Sequence, residues 1–243
     1  MISAHIKAGQ WPRVLAVFSF RYDAHLVPSL LANIEPLCDG WIAFDDTGGR
    51  GVFTDEISRR AALLTAASEA GARWVLAVDP DERFERGLAK EIESLTAAGD
   101  RARVYEFRLR EMYSPDQYRV DGLWGRKRQA RLLSLVNGIA VPAAGLHRSW
   151  AAFIPRRQVC DTDFNLYHLK MMTRERRRAR AALYKHLDPD GCMQTIGYDY
   201  LADDNGVELE RIPEGREYHP PHREDGGLWM PDLPAAATSA VSF

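Results

Sequence analysis

The amino-acid sequence predicts a single α/β domain with a mostly parallel central sheet flanked by helices. Strand-length and helix-length patterns alternate β-α-β-α-β-α-β over the first 110 residues, an order that calls for right-handed crossovers between parallel strands. The first and third strand patterns are continuous apolar runs, as in strands covered on both faces. A chain of 243 residues with 46% apolar side chains suits one ordinary globular core.

Each element has a local reason. Val14–Phe20 (VLAVFSF) is the first strand. Residues 24–37 read as a helix, with Asp23 as N-cap and Pro28 limiting how far upstream a regular helix begins. Gly40–Asp45 (GWIAFD) is the second strand. Thr54 caps a helix that runs to about Ala70; Asp55 and Glu56 favour its positive end and Gly71 stops it. Residues 73–79 (RWVLAVD) form the third strand and residues 88–98 a helix. Residues 103–110 (RVYEFRLR) form a fourth strand, whose alternation leaves one face wet. Beyond it the pattern loosens. Residues 129–136 suit a strand, and residues 173–187 a strongly basic helix ended by Pro189 and Gly191. The Gly-, Pro-, Ala- and Ser-rich residues 226–243 lack bulk for a core and read as a flexible tail, which leaves the domain at 1–225.

The charge balance is close to even, with 32 Lys and Arg against 34 Asp and Glu, a formal net charge of −2. That argues against a bulk nucleic-acid binder, and no nucleic acid is expected as a partner. Arg supplies 27 of the basic residues. A GC-rich coding sequence accounts for most of that skew, and the planar guanidinium fork suits phosphate or carboxylate binding for the remainder. The longest apolar run near the start is seven residues, against about 20 for a spanning helix. No small-residue cleavage site follows it. Cys38, Cys160 and Cys192 form no CxxC pair and read as reduced thiols. A cytoplasmic location is expected.

Chemistry concentrates at two strand ends. Asp79-Pro80-Asp81-Glu82 follows directly on the apolar residues 74–78. Ligands of open α/β sheets bind outside the carboxyl ends of strands, and carboxylates at i and i+2 of extended chain project to the same side. Three acids in four residues repel one another without a cation, and Mg²⁺ or Mn²⁺ with oxygen ligands is one solution. A capped polar turn is the other reading. Asp45-Asp46 ends the preceding strand in the same way. One acid pair could hold a metal and the other accept hydrogen bonds from a ribose or base, unless Asp46-Thr47-Gly48-Gly49 is again only a turn.

Basic and aromatic residues supply further candidates. Arg126, Lys127, Arg128 and Arg131 suit a diphosphate. Arg174, Arg176, Arg177, Arg178 and Arg180 read either as a solvated helix face or as a contact for an anionic acceptor or membrane surface. Trp124 suits a sugar ring or the core. His147 and His168 are each either ligands or hydrogen-bonded structural residues. His219 and His222 have the spacing of a ligand pair, but zinc needs three or four protein ligands, so they read as tail.

In order along the chain, these segments resemble a family. Val14–Phe20, the acidic end of the second strand and WVLAVDPDERFE at 74–85 resemble the nucleotide-sugar domain of family 2 glycosyltransferases, of GT-A type. The similarity is closest to the bacterial branch that carries D-x-D-E, which includes lipopolysaccharide-core glucosyltransferases. Arg131-Leu132-Leu133 resembles its R-L-F segment and Gly145-Leu146-His147 its G-x-H-E segment. Tyr167-His168 and the Arg-rich helix to Tyr184 resemble its His-then-charged-helix ending. The resemblance covers roughly residues 14–186.

The resemblance implies a GT-A-type domain with a nucleotide-sugar half at about 14–110 and an acceptor half at about 111–225. It also implies an inverting transferase dependent on Mn²⁺ or Mg²⁺. The sugar, expected to be a hexose, moves from a nucleoside-diphosphate sugar (a UDP-sugar is the expected donor) to a hydroxyl on a glycan, a lipid-linked or another acceptor. Peripheral contact with the inner face of the membrane goes with that reading. Carried over, Asp45, Asp46, Asp79 and Arg131 contact the nucleotide, and Asp79, Asp81 and His147 hold the metal. The catalytic base is assigned to Asp121, with Glu111 in the same region. The chain departs from the family pattern twice. Arg21-Tyr22-Asp23 stands in place of Asn-Glu, and Arg148 follows His147 in place of Glu. Those departures support a competing reading as a non-catalytic module of the same fold. A nucleotidyltransferase is the other competitor, but no Gly-rich phosphate loop follows the first strand.

Overall fold

The computed structural model describes residues 1–7, 13–49, 56–97, 103–136, 149–151, 154–192 and 196–222. Thr54, Asp55, His147 and the 226–243 segment lie outside the described residues. The fold is mixed α/β. In chain order it comprises β1 (Ile2–Ile6), β2 (Val14–Phe20), α1 (Val27–Ile34), β3 (Gly40–Asp45), α2 (Glu56–Glu69), β4 (Trp74–Ala77) and β5 (Glu82–Phe84). These are followed by α3 (Ile92–Ala97), β6 (Val104–Ser114), β7 (Gln117–Arg119), β8 (Arg128–Ser134), β9 (Val159–His168), α4 (Arg174–Leu187) and β10 (Leu209–Arg211). The strands join in the order β1-β3-β2-β4-β8-β6-β7-β10, and β9 lies along β6 with β5 beyond it.

The sheet is not mostly parallel. Parallel pairing holds between β2 and β3, β2 and β4, and β6 and β9. The other described pairings are antiparallel. In particular β8 enters antiparallel between β4 and β6, so the fourth predicted strand does not extend the parallel set. Apolar runs report burial on both faces; they carry no information on strand direction or order.

Both faces of β2 and β4 are indeed covered. Val14, Ala16 and Phe18 share one core with Leu30, Ile34, Leu76, Leu88 and Phe107. Leu15, Val17, Val75 and Ala77 share a second with Leu63, Leu64 and Ala67 of α2, and Trp150. Successive residues of a strand point to opposite faces, so a strand between two cores must be apolar at every position.

The helical segments follow the sequence signals with some differences. Residues 24–37 form α1 between two 3₁₀ turns. Asp23 does not cap it, because its Oδ1 accepts from the Arg21 N–H at 3.1 Å. Pro28 sits in the first turn of α1, where its missing N–H is no loss. Gly71, at φ +81°, ends α2 in the left-handed conformation that glycine adopts without a Cβ penalty. The Thr173 hydroxyl accepts from the Arg176 N–H at 3.2 Å and caps α4. Strands β1, β7, β9 and β10 carry no strong sequence signal. Where β1 crosses β3, a Cβ on Gly40 would collide with the His5 carbonyl oxygen. No helix among the described residues is long and apolar enough to cross a membrane.

Buried Asn33 ties three distant segments. Its Nδ2 donates to the Phe84 carbonyl at 3.0 Å and the His219 carbonyl at 2.8 Å, and its Oδ1 accepts from the Phe84 N–H at 2.8 Å. Asn33→Ala should therefore cost about 1–3 kcal/mol, the penalty for leaving buried backbone groups unpaired. Amide exchange at Phe84 should accelerate more than in the adjoining β4; unchanged exchange there would contradict this.

Candidate functional site

A cavity of about 440 Å³ opens at the carboxyl ends of β2 and β4. On the β2–α2 side it is lined by Arg21, Asp23, Glu56, Arg59 and Arg60, with Asp79, Asp81, Glu82 and Arg131 between the two sides. On the β6–α4 side stand Glu111, Lys127, Gln129, His168, Lys170 and Arg180, with Tyr184, Tyr198 and Tyr200.

Each acid of the 79–82 segment meets a cation from later in the chain. Arg131 of β8 is buried and grips Glu82 with two bonds, Nε to Oε2 at 2.8 Å and Nη2 to Oε1 at 2.6 Å. Its Nη2 also donates to Asp79 Oδ2 at 3.0 Å. Burial pushes the Glu82 carboxyl up despite Arg131. Burial also opposes the Arg131 charge, but Glu82 and Asp79 outweigh it and raise the guanidinium pKa. The Asp79 side chain remains 55% exposed, so this acid still faces the cavity.

Asp81 is fully enclosed. Its Oδ1 lies 3.4 Å from His168 Nε2 and its Oδ2 3.3 Å from Arg180 Nη2. Burial would raise its pKa, but His168, Arg180 and Arg176 hold it well below the usual carboxylate range. The pairing continues inward, with His168 Nδ1 3.1 Å from Glu111 Oε2 and Lys170 Nζ 3.2 Å from Glu111 Oε1. Burial opposes the imidazolium, yet Glu111 and Asp81 raise its pKa to about 9. Burial likewise opposes ionisation of Glu111, and Lys170 and His168 lower it to about 2. Among the described residues neither Glu111 oxygen has an aligned hydrogen bond.

Asp23 lines the same cavity. Burial, then the negative charge of Asp81, pushes its carboxyl up to about 7. It thus sits near neutrality, where the sequence reading gave it only a capping role.

The other expected site residues are placed differently. Asp45 forms a local turn, its Oδ1 accepting from the Thr47 N–H at 2.9 Å and hydroxyl at 2.6 Å. Asp46 is buried, with Arg21 Nη1 at 3.5 Å and Arg59 Nη1 at 3.9 Å. Neither acid lines the cavity; Asp46 pairs with Arg21 and Arg59, which do. Asp121 also lies off the cavity lining. Arg119 clamps both its oxygens, at 2.6 and 2.8 Å, which lowers its pKa.

Alternation along β8 splits the first basic cluster. Lys127, Gln129 and Arg131 line the cavity, while Arg128 turns away to the Thr162 carbonyl at 2.9 Å. In α4 the reading of a solvated face holds for Arg174 and Arg178, which are exposed. Arg176, Arg177 and Arg180 are buried; Arg176 donates to the Leu169 carbonyl and Arg177 to that of Met171, both at 2.9 Å. Sequence reasoning missed Arg59 and Arg60. Their position in the second turn of the helix after the acidic strand end is the signal that could have found them.

The fit to a divalent cation rests on Asp79 and Asp81. Among the described residues no group of three or more His, Cys, Asp or Glu is placed to hold a metal, and His147 lies outside them. Mg²⁺-type ions, however, are commonly held by one or two carboxylates with substrate phosphate. Asp79 faces the cavity, and the partners of Asp81 stand beyond the 2.7–2.9 Å of a close charge-assisted bond. This pair therefore suits an ion completed by a phosphorylated substrate. No protein-family model matches the chain, and no curated protein matches it.

Two expected outcomes follow from the charge network. Arg131→Met leaves Glu82 buried and unpaired, and should cost roughly 3–5 kcal/mol in urea unfolding. Adding Glu82→Gln should return part of that loss; a double variant no more stable than the single one counts against the pairing. Second, the folded pKa of His168 is raised, so its contribution is complete below the ordinary value of 6.5 and disappears as pH rises through about 9. Wild-type urea midpoints should fall across that window, and those of His168→Gln should stay flatter.

Proposed function

We propose that the protein is a GT-A-type, divalent-cation-dependent inverting glycosyltransferase. It would transfer a sugar, a hexose in the first instance, from a nucleoside-diphosphate sugar such as a UDP-sugar to a hydroxyl acceptor. The observation that carries this reading is convergence: one cavity at the carboxyl ends of two parallel strands holds Asp79 and Asp81 beside Arg21, Arg59 and Arg60. Apart from Asp81, which His168 and Arg180 hold, the β2–α2 side and the residues between set Arg21, Arg59, Arg60 and Arg131 against Asp23, Glu56, Asp79 and Glu82. Those charges nearly cancel, so a diphosphate seated there calls for an added cation. Mg²⁺ or Mn²⁺ held by Asp79 and Asp81 would supply it, neutralising charge on the departing diphosphate.

The acceptor oxygen attacks the anomeric carbon as the bond to the diphosphate breaks, and its proton passes to a carboxylate. We assign that role to Glu111, which lines the cavity and is held ionised by Lys170 and His168. This reading goes with a cytoplasmic protein whose membrane contact, where it has one, is peripheral.

UDP should raise the melting temperature in the presence of Mn²⁺ and far less without it. Asp79→Asn, at a half-exposed position, should remove the Mn²⁺-dependent part and keep the apo melting temperature. Glu111→Gln should keep UDP binding and lose about 10²–10⁴-fold in turnover. A UDP shift indifferent to Mn²⁺ in the wild type would overturn the metal assignment.

A further inference from the structure

The β6–α4 side of the cavity differs from the β2–α2 side in one respect that the transfer reaction does not require. Its cations outnumber its acids. His168 and Arg180 face Asp81, and Lys170 faces Glu111, while Lys127 stands apart. Among the described residues the Lys127 ammonium has no hydrogen-bond or ion-pair partner. It sits over the Trp124 ring, 4.1 Å from the centroid. Next to it on the same face of β8, the Gln129 side-chain amide also has no hydrogen-bond partner among the described residues. Both line the cavity. Burial draws the Lys127 pKa below its ordinary value, against the pull of Glu111. A half-buried cation with no anion in pairing distance among the described residues is costly, and a ring face compensates it only in part.

Aromatic rings surround this position. Tyr200 packs against Trp124 with centroids 5.5 Å apart, and Tyr184 against Tyr198 at 5.3 Å; the three tyrosines line the cavity. A free ammonium and a free amide beside such rings match a sugar ring that carries a negative group.

Resting on the glycosyltransferase reading, we infer that Lys127 and Gln129 bind an anionic substituent, phosphate or carboxylate, of the acceptor sugar. The donor diphosphate then belongs to the arginines across the cavity, and Lys127 selects among acceptors.

The test compares binding of glucose, glucose 6-phosphate and glucuronate to the full chain saturated with UDP and Mn²⁺, in a buffer free of phosphate. Both anionic sugars should bind roughly tenfold more tightly than glucose, a single charge-assisted contact in a partly buried site. Lys127→Gln should abolish that preference and Lys127→Arg should retain it. A preference for glucose 6-phosphate alone assigns the site to phosphate, and one for glucuronate alone assigns it to carboxylate. Equal binding of all three sugars overturns the inference. So does a Lys127→Gln variant that loses affinity for UDP and keeps the preference, since Lys127 then serves the donor. If the wild type binds no UDP, the glycosyltransferase reading falls by itself, and the Lys127-dependent preference measured without nucleotide still decides the anion site.

Discussion

The structure depends on neutralising three acids within four residues. Asp79, Asp81 and Glu82 leave β4 together, and two of them are buried. Like charges so close in a low-dielectric setting cannot stay ionised without partners. Those partners come from three later elements: Arg131 from β8, His168 from the end of β9, and Arg180 from α4. This pairing closes the second half of the chain onto the first. The pairing of β5 with β9, in which Glu82 stands opposite His168, carries the same seam through the backbone. Arg83 reinforces it without a carboxylate of its own: its Nη1 donates to the Pro80 carbonyl at 2.7 Å and its Nη2 to the Leu26 carbonyl at 3.2 Å. The acids are therefore both the floor of the cavity and the reason its walls meet.

How much of this is legible in the sequence depends on the range of the interaction. β2, β3, β4 and α2 follow from local apolar periodicity and from a glycine stop at Gly71, and their observed bounds lie close to the expected ones. Strand order is a long-range property, and nothing in residues 128–134 says that they lie antiparallel between β4 and β6. β9 alternates Asp161 and Asp163 outward with buried Thr162 and Asn165, a polar pattern that resembles a loop until its partners are known. The basic stretch of α4 reads from sequence as a solvated face or as a contact for an anionic acceptor or membrane surface, because a charge run names no internal partner. Here carbonyls at Leu169 and Met171 just before the helix absorb two of the guanidinium groups.

The same distinction separates the candidate residues that meet from those that do not. Asp79, Asp81 and Arg131 converge because the turn that follows β4, closed by the Glu82 N–H on the Asp79 carbonyl at 2.9 Å, lies across from the cavity-facing side of β8. Asp45 and Asp121 are spent on neighbours two residues away, Thr47 and Arg119. A carboxylate within reach of a local donor has less capacity left for a ligand, so spacing alone overstates its availability. Glu111 is the opposite case. It lies on β6, its partners lie 57 and 59 positions downstream at His168 and Lys170, and no local group competes for it.

The positive charge that one reading of the acidic segment assigns to a metal is present in protein form, which changes what a metal would do there. It is not needed to hold the acids together, since Arg131, His168 and Arg180 already do that. Its task would be confined to the substrate: under the proposed function, Asp79 and Asp81 would accept an added ion only when a diphosphate brings further negative charge into the cavity. Metal binding and nucleotide binding should then be mutually dependent, each weak alone, because each supplies charge the other lacks. A rigid three-ligand site would bind its ion without the nucleotide. Two carboxylates that already share arginines and a histidine would not, and that coupling follows from the same charge network that holds the two halves of the chain together.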